Sequence, residues 1–465
     1  MTSTVLWLPS GESIHLGLPL AGATGEGTVY GVTGRPDLAA KVFHTGLKGL
    51  ADKLDKVAAM TASTPPGAVQ PDGLIVLAWP QQVLSDGSGA VGFVMPRIDT
   101  TTAVELHTVS NPSNRVDPMP SDPQWTKHAT WAHLVNVAAN LCLAVEAVHR
   151  VEAVIGDFQE RNILVSDTTQ VTLVDCDSMQ FTDPTGRRFL CPVGRPEFTA
   201  PELVGLNLRE QPREKTSDLF ALAVHIHQLL MAGNHPFLRG EWTDSGERPD
   251  PLSLARSGDW AGGPNSRLRT HPVAPPVTFL PPDIQQFFVR AFSHGGSDPT
   301  LRPTATEWRT ALMRIQLTTC ERSEHQVPAG CHVCPWCAVD DERAARRRRQ
   351  ASGQPASAPQ RIIPLASSTG PVPSGRQPTT SPKPKPQQDT VFGLSTRTYL
   401  ITLAVVVVVV VALASFIVWA LLSGASTFGS LGPMPAPPST SHDVAAGIEI
   451  LSTCHGPLEL RNTRC

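Results

Sequence analysis

Gly156-Asp157-Phe158-Gln159-Glu160-Arg161-Asn162, followed by Asp175-Cys176-Asp177, is the stretch on which the reading of this chain turns. Asn162 comes five positions after Asp157, and Asp175 thirteen after Asn162, which leaves room for a short strand and a turn. Two carboxylates and a carboxamide are oxygen donors of the kind a hard divalent cation requires. A carboxylate can also accept or orient a hydroxyl proton. Working outward, Ala40-Lys41-Val42 sets a lysine in an apolar, strand-like run. Its charge is costly there unless partnered, and phosphate is the natural partner. Fourteen residues before Lys41, Gly27 closes Gly22-Ala23-Thr24-Gly25-Glu26-Gly27. Glycines let backbone N–H groups approach phosphate oxygens with no Cβ in the way. Asp157 is thus a candidate base, and Asn162 and Asp175 are candidate Mg²⁺ ligands.

In order and spacing these segments resemble the phosphate- and metal-handling elements of the protein kinase superfamily, and the likeness runs over residues 15–316. Gly22 to Val29 resembles the glycine-rich loop. Gly194 to Glu202, ending Ala200-Pro201-Glu202, resembles the close of the activation loop. Ser217-Asp218 and the apolar run after it resemble the helix that anchors the C-lobe, and Asp298 to Arg302 the start of the last helix, whose Arg pairs with the Glu of Ala-Pro-Glu. A divergent bacterial kinase-like subset is similar further in Ala78-Trp79-Pro80, Gly92 to Pro96, Asp175 to Ser178 and a Cys-Pro-Trp-Cys module after the kinase domain. The resemblance implies a bilobal α+β fold, β-rich then helical, with ATP and Mg²⁺ or Mn²⁺ as cofactors. It implies Asp157 as catalytic base, and Gly22, Gly25, Gly27, Val29, Lys41, Met95, Asn162 and Asp175 around the nucleotide.

The departures from the family pattern carry expectations too. Ile155-Gly156 stands where the family has His-Arg, so activity is expected not to require phosphorylation of Ser178, Thr182 or Thr185. Gln159 replaces a lysine two places after Asp157; Arg161 is expected to supply that charge, which makes it the second catalytic candidate. Asp177 replaces a glycine. The helix over 46–61 carries no Glu for Lys41, so Asp52 or Asp55 is expected to pair with it. Two readings follow: a membrane-anchored Ser/Thr protein kinase acting on protein hydroxyls in signalling, or a nucleotide-binding pseudokinase serving as a tethered scaffold.

A second module is Cys320-x4-His325-x5-Cys331-x2-Cys334-Pro335-Trp336-Cys337. Thiolates and imidazole suit tetrahedral Zn²⁺, and four protein ligands make a structural site. By resemblance to the Cys-Pro-Trp-Cys module, the ligands are Cys320, His325, Cys334 and Cys337, with Cys331 and His332 as spares.

The remaining segments bound location and partners. Net charge is −3 over 465 residues, which argues against a nucleic-acid partner. The first residues lack a basic stretch and a long apolar run, so no signal peptide is expected. Residues 399–422 are uncharged and include seven consecutive valines, long enough to span a hydrocarbon core of about 30 Å. Basic residues gather on the N-terminal side of this span, so residues 1–14 and the kinase-like domain are placed in the cytoplasm and residues 423–465 outside. In that tail Cys454 and Cys465 could pair or stay free. Residues 317–340 form the zinc module, and 341–398, rich in Arg, Pro and Ser, a disordered linker. The zinc module and the linker are the expected surfaces for protein partners. Strands are expected over 27–32, 38–43, 74–79 and 90–95, and helices over 46–61, 130–150, 215–232, 282–292 and 304–316.

Overall fold

The N-terminal part is a sheet in the computed structural model, which describes residues 4–20, 25–351, 390–391 and 394–395. Gly22, the expected span 399–422, the outer tail with Cys454 and Cys465, and most of the expected linker lie outside the described residues. The strands are β1 (Val5–Trp7), β2 (Ser13–Pro19), β3 (Gly27–Val32), β4 (Arg35–Phe43), β5 (Gln82–Ser85) and β6 (Ala90–Pro96). They pair antiparallel in the order β1-β2-β3-β4-β6-β5, and Trp7 opposite Ser85 closes the barrel. Leu6, Ile14, Leu38, Ala40, Leu84 and Val94 fill it. Residues before 15 are therefore part of this lobe rather than a separate segment, because β1 supplies Leu6 to its core.

Two expectations shift here. The apolar run 74–79 is buried but forms no strand: it meets its neighbours through the bridges Val69–Ile75 and Leu77–Leu173. An apolar run reads alike for a strand and for a buried connector. The strand is instead β5, whose half-buried Gln-Val-Leu-Ser pattern is weaker. Helix α1 (Leu50–Thr61) begins after Gly49, which holds φ at +77°, and packs Val57 and Met60 inward.

The C-terminal part is helical. Helix α2 (Trp131–His149) is long and apolar enough to cross a membrane, but 67% of its most apolar window is buried, which marks a core helix. Helix α3 (Lys215–Leu230) is buried on every face from Ser217 onward, as an all-round apolar helix must be. The helix Pro282–Phe288 runs on as a π-helical turn, Val289–His294, and the helix Ala305–Met313 opens with a Thr304–Glu307 capping box. Arg302, fully buried, meets Glu202 in two bonds of 2.6 and 2.7 Å and also donates to the carbonyls of Gly295 and Thr216. This ties the close of the activation segment to the lobe.

The Cys-rich segment is docked on this lobe. Its hairpin, Leu317–Thr319 with Gln326–Pro328, presents Gln326, whose Oε1 accepts from the Ala132 N–H at 2.9 Å. Trp336 lies edge-on to Phe279 with ring centres 5.5 Å apart. The helix Pro335–Ala351 starts inside the module and covers residues 341–351, expected in the disordered linker. Pairs of Glu342 with Arg346 and Arg349, one turn and two turns on, support it.

Candidate active site

The loop preceding Asp157 is fixed from α3. The Asp218 carboxylate, 2% exposed, accepts the N–H groups of Ile155 at 2.8 Å and Gly156 at 3.1 Å, and lies 3.0 Å from His149 Nε2. Gly156 adopts φ +70°, and a Cβ there would sit 2.7 Å from Cys191 Sγ, so this position admits only glycine. Asp157 Oδ2 accepts from Gln159 Nε2 at 2.7 Å and from Asn162 Nδ2 at 3.2 Å, and Asn162 also donates to the Asp157 carbonyl at 3.0 Å. Those bonds engage the Asn162 N–H₂ and leave its Oδ1 without a donor among the described residues. Arg161 is exposed and makes no bond to Asp157; Gln159 does.

Lys41 leaves β4 on the face opposite Ala40, with Val29 and Phe93 as its strand neighbours. Only 4% exposed, it meets Asp175 Oδ1 at 2.6 Å and both oxygens of Asp177 at 2.8 and 2.9 Å. Asp52 and Asp55, expected as its partners, lie on the solvent side of α1 and pair with Arg187 at 3.8 and 3.1 Å. The face of α1 that looks toward Lys41 offers another cation instead: Lys53 reaches Glu26 at 2.6 Å and Asp177 at 3.3 Å. The acid that the helix lacks is supplied by Asp177, the residue in the glycine place of Asp175-Cys176-Asp177.

Electrostatics follow from this packing. Burial alone would strip Lys41 of its proton; the charges of Asp177 and Asp175 outweigh it and raise its pKa. Burial likewise opposes the charge on Asp177, but Lys41 and Lys53 hold it a carboxylate, well below the usual range. Asp175 is pushed upward by burial and by the neighbouring Asp177 charge, against the pull of Lys41. Asp175 sits at φ +57°, a left-handed conformation that Asp tolerates better than most residues.

The glycine-rich loop is described from Gly25. Gly25 has open space around it, whereas a Cβ on Gly27 would come within 2.4 Å of the Val42 carbonyl, so Gly27 serves the close approach of β3 to β4. Met95 lies on β6 opposite Ala39, half-buried against Phe43, Val57 and Phe93. The carboxylates of Glu26, Asp175 and Asp177 thus gather around Lys41, and Asp157, Asn162 and Gln159 form a separate bonded group. The oxygen donors Asn162 Oδ1 and Asp175 Oδ2 fit a hard divalent cation.

The second centre is made by side chains alone. Cys320, His325, Cys334 and Cys337 bring their ligand atoms within 4.8 Å of one another. The sulfurs of Cys320 and Cys337 are 3.7 Å apart, and His325 Nδ1 is 3.6 Å from Cys334 and 3.5 Å from Cys337. Tetrahedral zinc with ordinary bond lengths places sulfurs about 3.8 Å apart and sulfur from nitrogen about 3.5 Å. These three separations match tetrahedral Zn²⁺, and the four residues are a donor set that could hold it. Cys331 stands aside, its thiol on the Val333 carbonyl at 3.2 Å.

Reading the sequence missed three residues of this region: Asp177 as counter-ion, Lys53 as its second cation, and Arg213. Arg213 is 4% exposed and donates to the carbonyls of Gly156 at 3.1 Å, Cys191 at 3.3 Å and Val193.

A family profile described as the protein kinase domain matches residues 122–308, which takes in Asp157, Asn162 and Asp175 but not Lys41. The chain is 33% identical over 349 residues to protein kinase YegI of Escherichia coli strain K12, covering 73% of this chain and 51% of that protein. The O157:H7 counterpart is 32% identical over 345 residues, 72% of this chain and 50% of that protein. Protein kinase C-like 2 of Schizosaccharomyces pombe is 36% identical over 107 residues, 22% of this chain and 10% of that protein. The chain spans about half the length of the YegI relatives it matches.

Proposed function

We propose that this chain, whose residues 122–308 match the protein kinase domain profile, is a membrane-anchored bacterial kinase that transfers the γ-phosphoryl group of ATP to Ser or Thr hydroxyls of proteins. The observation that carries this reading is the convergence of Asp175 and Asp177 on the buried Lys41, together with a loop where Asn162 and Gln159 hold Asp157. Lys41 would neutralise the phosphates. Asp157, held on one oxygen by two amides, orients the substrate hydroxyl and accepts its proton. Asn162 and Asp175 would hold the divalent cation, which when bound supplies charge compensation at the phosphate oxygens. The pseudokinase alternative rests on the missing helix Glu, on Gln159 and on Asp177; against the first, Asp177 supplies Lys41 with a carboxylate. Anchoring through residues 399–422, with the kinase domain cytoplasmic, rests on their apolar composition and on the basic residues before them.

Two measurements test the reading. Mg²⁺–ATP should stabilise the full-length chain by mass action, about 2.7 kcal/mol at a hundredfold excess over Kd. Equal stabilisation by ATP in EDTA, or none, would sink the metal-bridged arrangement. Single-turnover phosphorylation tests the charge at Arg161. Its loss should lower the rate about 10²–10³-fold, as expected for a transition-state charge partner. Gln159→Ala removes a single bond to Asp157 and should be mild, with ATP binding kept in both. A fully active Arg161→Ala enzyme would show that this residue is solvated and unused, and an inactive parent saturated with Mg²⁺ and ATP would favour the scaffold.

A further inference from the structure

Residue 156 is glycine, and the space above it is filled by a side chain from 57 positions further along the chain. Arg213 lies just before α3, with its backbone held by Gln180: Gln180 Nε2 donates to the Arg213 carbonyl and Gln180 Oε1 accepts the Arg213 N–H, both at 2.8 Å. Gln180 is in turn paired through its backbone with Val154, at 2.8 and 3.0 Å. The guanidinium then donates in three directions, to the carbonyl of Gly156 and to those of Cys191 and Val193. It has no acidic partner among the described residues. Two glycines make the room: a Cβ on Gly156 would lie 3.4 Å from Nε, and one on Gly194 3.1 Å from Nη2. The residue next to Asp157 is therefore gripped at both ends from the start of α3, its N–H by Asp218 and its C=O by Arg213.

We infer that Arg213 is a positioning residue that locks segment 191–194 and Asp157 into one arrangement without phosphorylation; the inference rests on the kinase reading above. A segment after the metal-binding Asp must be ordered for a substrate to dock beside Asp157, and a phosphate on the segment is one way to order it. Carbonyl oxygens are permanent acceptors, so a lock built on them has no off state set by a phosphatase. The bonds also make the height of the segment and the placement of Asp157 one mechanical quantity. Losing them should misplace the base rather than weaken nucleotide binding.

The test uses the full-length chain with dephosphorylated casein as substrate. Phosphatase treatment should leave its rate unchanged. Arg213→Met should lower kcat on the order of 10²-fold while KM for ATP stays within about threefold and the Mg²⁺–ATP thermal shift is retained. Arg213→Lys should recover part of that loss. Gly194→Ala, which crowds Nη2 without deleting it, should lower kcat less, and both it and Arg213→Lys should speed hydrogen exchange of the 191–194 amides. Parental kcat in Arg213→Met or Gly194→Ala, or loss of activity after phosphatase, overturns the inference. Should Arg213→Met fail to fold, Gly194→Ala decides. An inactive parent overturns the catalytic reading instead, and unchanged exchange at 191–194 in Arg213→Lys would then still overturn the lock.

Discussion

Removing the metal from the Cys-rich module is expected to unfold residues 317–351 and to loosen the lobe beneath them. Small structural zinc sites bind with about 10–16 kcal/mol at neutral pH, and that binding energy is folding energy. Here the module has few apolar contacts of its own, and its ligands come from a hairpin turn and the first turn of the Pro335–Ala351 helix. Zn²⁺ bound there would hold the buried Cys337 thiol and the His325 imidazole together, and its removal would release them. Unfolding would then withdraw Gln326 from the Ala132 N–H and Trp336 from Phe279, both contacts to the kinase lobe. One Zn²⁺ per chain is expected by metal analysis. Cys334→Ser should lose most of it, Cys331→Ser little. Trp fluorescence and the melting temperature should fall together on chelation. Equal metal loss in the Cys331 and Cys334 variants would show that the ligand set is wrong.

Asp177→Asn should destabilise the protein by about 1–3 kcal/mol, the cost of losing charged hydrogen bonds in a buried site while Lys41 keeps Asp175 at 2.6 Å and Lys53 keeps Glu26 at 2.6 Å. Two ammonium groups depend on Asp177: Lys41, 4% exposed, and Lys53, whose other partner is Glu26. The Asn side chain fits the space but returns no charge. Denaturant unfolding of the full-length chain measures this directly. Lys53→Met should cost less, because Lys41 remains on Asp177. Should Asp177→Asn change stability by less than about 1 kcal/mol, the size of a surface pair, Asp177 is not the counter-ion of Lys41.

How far the sequence could be read depended on whether a feature was local. Asp157, Asn162 and Asp175 are joined by short fixed spacings, and so are Cys334 and Cys337; such spacings survive without knowledge of the fold. The partner of Lys41 lies 136 positions away, and nothing in the sequence ranks the acids that could reach it. One signal was present and unused. Val57 and Met60 mark the inward stripe of α1, and Lys53, four residues before Val57, shares it at 14% exposure, whereas Asp52 at 86% does not. The strand expected over 74–79 failed because an apolar run marks burial without stating pairing. Arg213 left no signal at all, since its partners are backbone carbonyls, which every residue possesses.

The cluster around Asp177 bears on how freely the turn after Asp175 can move. Inverting that turn would require its next residue to swing out of the core. Here the residue in that place is Cys176, small, buried and bonded through its thiol to the Leu173 carbonyl at 3.4 Å. The next residue, Asp177, would have to abandon the buried Lys41 and the partly buried Lys53 to make the move. The turn is thus pinned in its standing shape by charge, with Lys53 and Glu26 as the outer pair of the cluster.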